Sequence, residues 1–100
     1  MTITENTMST KPALVTTAHR GVFVGILNDG DYEMDAKRIA LNDVRNVIYW
    51  SGSRGFLGIA SHGPEDGSRL GAMAPRIQLH DVTSVVDCTA EAWKACKEWK

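Results

Sequence analysis

The spacing of apolar side chains along this 100-residue chain changes once, and that change limits the folds available to it. From Val22 to about Cys88, apolar residues recur mostly at every second position, which is the period of a half-buried strand. In the last twelve residues, TAEAWKACKEWK, they recur at i, i+4 and i+7, as in an amphipathic helix. The sequence therefore predicts a mainly β protein of the α+β class, with about five antiparallel strands and one C-terminal helix.

Segments rich in Gly, Asn and Asp separate the predicted strands. GVFVGIL forms the first strand, and the Asp-Gly pair at 29–30 predicts a hairpin because glycine adopts positive φ at no cost. A second strand covers 32–41, and NDVRN is predicted as a turn. VIYW, SGSRG and FLGIAS are predicted as a strand, a turn and a further strand, and residues 75–88 alternate again. We expect a small antiparallel β-barrel or a curled sheet, since a meander of this length covers its edges by bending.

The domain is predicted to cover residues 18–100, after a flexible polar leader over residues 1–17 that stays outside the sheet. The leader is rich in Thr and lacks the basic start and the apolar core of a secretory signal. The helix is predicted over residues 89–99, with Thr89 as its N-cap. No apolar run approaches the ~18 residues of a membrane span. The two cysteines have no C-x-x-C spacing, which favours free thiols in a cytosol.

Six of the nine glycines lie between residues 52 and 71. A phosphate-binding loop needs uncovered backbone N–H groups and a cation nearby, and SHGPEDGSRLG supplies both. The segment lacks the lysine and following Ser/Thr of a P-loop, so two interpretations stay open: a loop that only connects strands, or a ligand site. The residues predicted to bind a ligand are Arg54, His62, Gly63, Gly67, Ser68 and Arg69.

Reactive residue types occur without the spacing that chemistry requires. His19, His62 and His80 have no nucleophile at a motif distance, so we expect no catalytic residue and no enzyme activity. Cys88 and Cys96 do not have a familiar zinc spacing, and no cofactor or metal is predicted. The net charge of −1 gives no basic footprint for duplex nucleic acid or for a membrane surface.

Two tryptophans on the predicted helix, Trp93 and Trp99, have two readings. They pack on the sheet of their own domain, or they form the interface of a homo-oligomer, because small barrels leave apolar surface to cover.

Longer blocks of the sequence carry two resemblances. GVFVGILNDGDYEMDAKRIALNDV resembles the first strands of Sm- and SH3-like barrels: an apolar strand, an acidic glycine turn, a long strand and an Asn-Asp turn. RGVFVGIL, NVIYW, GFLGIASHGPEDGSRLG and LHDVTSV resemble the blocks of a small uncharacterised family found mostly in bacteriophages and prophages. The second resemblance implies a phage accessory protein in the cytoplasm of a bacterial host, and proteins of that kind often act against host immunity.

This resemblance and the glycine-rich loop lead to two hypotheses of function. In the first, a homo-oligomeric sponge sequesters a cyclic or ADP-ribose-type nucleotide immune signal, whose phosphates Arg54 and Arg69 bind. In the second, the protein inhibits a host defence complex such as a CRISPR effector, through the acidic hairpin NDGDYEMD. A nucleotide-dependent rise in melting temperature separates the two, because a ligand that binds only the native state stabilises it.

Overall fold

The structure is a computed structural model that describes residues 10–19, 21–28, 30–33 and 35–100. The strands in these ranges are β1 (Thr10–Thr17), β2 (Val22–Asn28), β3 (Tyr32–Glu33), β4 (Arg38–Tyr49), β5 (Arg69–Leu70), β6 (Ala74–Leu79) and β7 (Val82–Asp87). The helices are α1 (Gly55–His62) and α2 (Ala90–Glu98). The protein is mainly β, a curled antiparallel half-barrel sheet with a C-terminal helix, so the predicted fold class is confirmed.

Strand β4 is the centre of the sheet. It pairs with β2 and β3 along one side and with β5 and β6 along the other. Strand β1 lies between β2 and β7. Strands β6 and β7 therefore belong to opposite edges of the sheet, yet only His80 and Asp81 separate them in the chain. This short connection draws the two edges together and curls the sheet.

Strand β1 contradicts the predicted leader over residues 10–17. It pairs with β2 on one side and β7 on the other, and Ala13, Leu14 and Val15 are fully buried at 0% exposure. Its threonines led to the error, because β-branched Thr fits a strand as well as a polar loop. Residues 1–9 of the predicted leader lie outside the described residues. The domain therefore includes residues 10–17.

The NDVRN segment is not a turn, because β4 runs through it without reversing. The Asn-Asp pair forms a β-bulge instead of a turn. The register with β2 shifts between Val24 and Ile26, and Asp43 has a φ of 50°. A bulge uses the same tolerance for left-handed backbone that a turn would use. One continuous twelve-residue strand results, and a bulge bends the strand that carries it.

The FLGIAS segment is helix α1 rather than a strand. As a helix it buries Ile59 and Ala60, and it ends at Gly63, whose φ of 89° the helix cannot continue. A short apolar run does not by itself distinguish a buried helix from a buried strand. The SGSRG turn in front of it is a turn in the structure as well.

Two apolar clusters lie on the two faces of the curled sheet. The first fills the inside of the curl and is built from Ala13, Val15, Leu27, Ile39, Leu41, Val44, Leu79 and Val82. The second lies between the outer face and the two helices, and its buried members are Leu14, Val22, Val24, Val47, Ile59, Ala60, Leu70 and Cys96. No helix in the described ranges combines the length and apolar character needed to cross a membrane.

Helix α2 docks on the second cluster through Trp93 and Trp99, as the sequence predicts. Its cap is also as expected, because the Thr89 Oγ1 accepts a hydrogen bond from the Ala92 nitrogen at 3.0 Å. Both tryptophans are half-buried in their own chain, which confirms that they pack on the sheet of their own domain. Their part in an oligomer interface stays a prediction.

A buried arginine joins this helix to the sheet. Arg45 on β4 is only 8% exposed, and its Nε donates to the Gly71 carbonyl at 2.7 Å. Its Nη1 donates to the carbonyls of Cys96 at 2.8 Å and Trp99 at 2.6 Å. These last carbonyls of a helix carry the negative end of its dipole, which suits a cation. Arg45 therefore ties β4 and the β5–β6 connection to the end of α2.

Candidate functional site

In the glycine-rich segment, one of the segment's own carboxylates takes the place predicted for a phosphate. The Glu65 Oε2 accepts a hydrogen bond from the Arg54 backbone nitrogen at 3.1 Å and lies 3.5 Å from the Arg54 Nε. Gly52, at a φ of 101°, leaves the space that this carboxylate fills, since a Cβ there would overlap it. A ligand phosphate at the start of α1 would therefore have to displace Glu65.

Ser68, predicted as a ligand donor, is buried and bonded within the fold. Its Oγ accepts a hydrogen bond from the Ser51 nitrogen at 3.0 Å. Its backbone nitrogen donates to the Glu65 carbonyl at 3.0 Å, and its own carbonyl accepts from the Trp99 Nε1 at 2.9 Å. These contacts make Ser68 a structural tie between the loop, the end of β4 and α2.

The other predicted residues are spread over the loop and its neighbours. Gly63 and Gly67 have φ values of 89° and 93°, and Gly63 also packs closely against α2. His62 is exposed at the end of α1, and Arg69 is exposed on β5. Turn geometry and close packing account for these glycines, so the structure favours the connecting loop over the phosphate cradle.

Some of the predicted residues do meet at one open groove. Its volume is about 600 Å³, and it is lined by Gly67, Ser68, Ala95, Glu98, Trp99 and Lys100. The groove offers one acidic and one basic side chain, and the indole nitrogen of its tryptophan is already bonded to Ser68. Arg54 and Arg69 do not line it, so it lacks the guanidinium groups on which the sequence hypothesis depended.

A second depression, which we call the polar cleft, lies over strands β3, β4 and β6. Its volume is about 290 Å³. Its polar lining residues are Asp31, Glu33, Arg38, Arg76, Gln78 and His80, and Ala40 lies among them. Two arginines and one histidine thus face two carboxylates across a single cavity.

Strand register explains why these side chains share a face. On β4, Ile39 and Leu41 point into the core inside the curl, so the residues between and beside them point outward. Ala40 pairs with Gln78 of β6, and its backbone nitrogen donates to the Asp31 carbonyl at 2.8 Å. The cleft therefore has Ala40 as its floor, with polar side chains from a strand on either side.

Two ion pairs lie at the cleft. The Arg76 Nη1 lies 3.5 Å from the Asp31 Oδ2, and the Arg38 Nη2 lies 3.2 Å from the Glu33 Oε1. All four side chains keep a substantial exposed fraction, and exposed pairs of this kind contribute only ~0–1 kcal/mol. A guanidinium has five N–H donors, so an arginine bonded through one nitrogen retains others for a ligand.

One further donor lies beside the cleft. The Asn42 Oδ1 accepts a hydrogen bond from the Arg76 Nη1 at 3.3 Å. Across the part of the chain that the structure describes, Asn42 Nδ2 is the buried side-chain polar atom with no hydrogen-bond partner. A buried amide nitrogen therefore lies next to Arg76, outside the lining of the cleft.

Burial lowers the reactivity of the two cysteine thiols. Burial raises the pKa of the Cys88 thiol to about 12, with smaller contributions from Cys96 and Asp87, and raises the pKa of Cys96 to about 11. Both thiols are protonated near neutral pH and are poor nucleophiles and metal ligands. Within the described ranges, no three His, Cys, Asp or Glu side chains form a cluster that could hold a metal ion.

The sequence contained part of the signal for the cleft. Alternation along residues 75–80 places Arg76, Gln78 and His80 on one face, opposite the core residues Ile77 and Leu79. The pairing of β6 with β4, and of β4 with β3, is a long-range property that no local pattern reveals. The convergence of Arg38 and Arg76 was missed for that reason.

Comparison with known proteins gives one match. A protein family described as a domain of unknown function, DUF6948, matches residues 10–96. The matched range begins at the first residue of β1 and ends within α2, so it covers the described fold almost completely. No curated protein and no solved structure matches the chain.

Proposed function

The chain belongs to the DUF6948 family, and we propose that it is a non-enzymatic binding protein that sequesters a phosphorylated nucleotide in the polar cleft. One observation carries the proposal: Arg38 and Arg76, from neighbouring strands, line the same cavity. Guanidinium groups bind phosphate oxygens through paired, charge-assisted hydrogen bonds, which makes arginine the preferred residue for this task.

The rest of the cleft suits the uncharged part of a nucleotide. Its volume of about 290 Å³ is near the lower end of the range for small-molecule sites, ~300–1,000 Å³. Gln78 and His80 offer donors and acceptors for ribose hydroxyls or a base edge. Asp31 and Glu33 hold the arginines in place, and their charge limits the affinity for inorganic phosphate alone.

The setting of this function follows from the phage resemblance. Under this proposal the chain is a small phage accessory protein in the cytoplasm of a bacterial host. It acts against host immunity by removing a cyclic or ADP-ribose-type nucleotide signal from solution. Homo-oligomer formation belongs to the same proposal, with the exposed parts of Trp93 and Trp99 as its contact. Both points are separate from the cleft.

The test is a thermal-shift screen of the full chain against cyclic nucleotides, cyclic ADP-ribose isomers and ADP. A ligand at 100 times its Kd stabilises the native state by about 2.7 kcal/mol, and each kcal/mol raises Tm by about 4–8 °C in a domain of this size. We expect at least one nucleotide to raise Tm. Arg38→Gln and Arg76→Gln should abolish that shift.

The matched control is Arg69→Gln, which removes an exposed arginine outside the cleft and should leave the shift unchanged. If Arg69→Gln abolishes the shift and the two cleft variants retain it, the glycine-rich loop is the site instead. If no nucleotide raises Tm, the proposed function is wrong.

A second function, binding to a host defence protein, is favoured by the large apolar side chains on the surface. Ile48 and Leu57 are 59% and 55% exposed, and Tyr49 and Met73 are exposed as well. The acidic segment NDGDYEMD, predicted as a hairpin, favours it less than the sequence implied. Its strand β3 pairs with β4, and Asp31 and Glu33 are paired with arginines. Under this alternative, Leu57→Asp or Ile48→Asp removes biological activity while nucleotides leave Tm unchanged.

A further inference from the structure

We propose that the polar cleft selects a nucleotide with two separated phosphate groups, one bound by Arg38 and the other by Arg76. This inference rests on the function proposed above and narrows its ligand class. It follows from the way the fold holds the two guanidinium groups.

Two carboxylates on one short stretch of chain keep the arginines apart. Asp31 and Glu33 both line the cleft and are separated by one residue, which corresponds to about 7 Å at ~3.3 Å per residue of extended chain. The Arg76 Nη1 lies 3.5 Å from the Asp31 Oδ2, and the Arg38 Nη2 lies 3.2 Å from the Glu33 Oε1. Each carboxylate anchors one guanidinium, so the two cations form separate anion sites.

Between these two sites the cleft has a small, uncharged floor. Ala40 lies two residues beyond Arg38 on β4, and Gln78 of β6 is its register partner. Ala40 is only 6% exposed, so a sugar would lie above it, against the polar side chains around it. The Gln78 amide is available there for a ribose hydroxyl.

The spacing distinguishes between classes of nucleotide. A mononucleotide has one phosphate and engages one arginine. The two phosphates of ADP share a bridging oxygen, so they lie closer together than the anchored guanidinium groups. A nucleoside 3′,5′-bisphosphate, like a cyclic dinucleotide, holds its phosphates apart across a sugar ring and engages both arginines. One additional charge-assisted hydrogen bond strengthens binding by about ten- to a hundredfold.

Isothermal titration of the full chain with adenosine 3′,5′-bisphosphate, ADP and AMP tests this inference. We expect the bisphosphate to bind about tenfold more tightly than ADP, or better. Arg38→Gln and Arg76→Gln should each remove that preference, whereas Arg69→Gln, which removes the same charge outside the cleft, should retain it. Arg38→Lys and Arg76→Lys keep the charge and should keep part of the preference, which separates lost contacts from a damaged fold.

A further variant tests the role of the carboxylates as spacers. Asp31→Asn removes a negative charge from the cleft, so AMP should bind at least as tightly as before. Arg76 then loses its charged partner and keeps the weaker hydrogen bond to the Asn42 Oδ1, so the preference for the bisphosphate over ADP should disappear. A carboxylate that only repels ligands would give tighter binding of all three probes and an unchanged preference, which contradicts the proposal.

The outcomes separate this inference from the function on which it rests. Equal affinity for ADP and the bisphosphate would overturn the two-site arrangement and leave nucleotide binding in the cleft intact. An equal loss of preference in Arg69→Gln would mean that total charge, not spacing, sets the affinity. Failure of all three probes to bind would overturn this inference, whereas the proposed function fails only if the cyclic nucleotides of the thermal-shift screen also leave Tm unchanged.

Discussion

Replacement of Arg45 by Met should destabilise the fold more than replacement of any other arginine in the described residues. The variant keeps most of the side-chain volume and removes the Arg45 donors from the carbonyls of Gly71, Cys96 and Trp99, although Cys96 still accepts from the Trp99 nitrogen. A hydrogen bond to a charged group contributes roughly 1.5–3 kcal/mol, and the desolvation of a buried guanidinium offsets part of that sum. Leaving a buried carbonyl without a hydrogen-bond partner costs about 1–3 kcal/mol, so the variant should lose at least that much stability.

That loss is a large part of the stability of the domain, since 100 residues usually provide about 5–15 kcal/mol. Equilibrium urea denaturation, followed by tryptophan fluorescence, measures the free energy of unfolding for each variant. Arg69→Met is the matched control and should stay within about 0.5 kcal/mol of the parent, because that arginine is exposed. Arg45→Lys should recover only part of the loss, since an ammonium lacks the planar fork that reaches several carbonyls. A loss below about 1 kcal/mol for Arg45→Met would refute the structural role assigned to this arginine.

Two further predictions concern β1 and the cysteines. Leu14→Ala should lower the free energy of unfolding by about 2–5 kcal/mol, because this side chain is fully buried in β1. Thr10→Ala, at an exposed position of the same strand, should lower it by less than about 0.5 kcal/mol. Equal, small losses in urea denaturation would mean that residues 10–17 lie outside the sheet. Cys88 and Cys96 have pKa values raised from 9.0 to about 12 and about 11, so the unfolded state loses these protons first and stability should fall as pH rises above about 9. In the double variant Cys88→Ala/Cys96→Ala, this fall of stability at alkaline pH should disappear. At pH 8 the thiols of the native protein should react with a thiol reagent far more slowly than those of the unfolded protein. A fast reaction of the native thiols would contradict the effect of burial.

Local patterns in the sequence predicted the parts of the fold that depend on neighbouring residues. The alternation around Val22 and Ile77 and the Thr89 cap each produced the expected element, because period and capping are short-range properties. The predictions failed where contacts distant in sequence decide. Strand β1 is recognisable only through its pairing with β2 and β7, and α1 exists because Ile59 and Ala60 pack on the sheet.

The sequence did not reveal the polar cleft for a related reason. The glycine-rich loop showed backbone freedom, but not that Glu65 would fill the place of a ligand anion. Arg38 and Arg76 are 38 positions apart, and only the β4–β6 register brings them to one cleft. Arg45 is part of a segment that was predicted as a turn. Nothing in the sequence therefore indicated that it is buried and bonds the end of α2.

The most direct test of nucleotide binding in the polar cleft is an NMR titration of the ¹⁵N-labelled full chain with adenosine 3′,5′-bisphosphate. The account predicts that the largest shift changes fall on backbone amides of residues 30–33, 38–40 and 76–80 and on the Nε–H groups of Arg38 and Arg76. Arg69 Nε–H and the amides of residues 63 and 65–68 should stay unchanged. Shift changes concentrated on residues 63–69, or none at saturating ligand, would contradict the account.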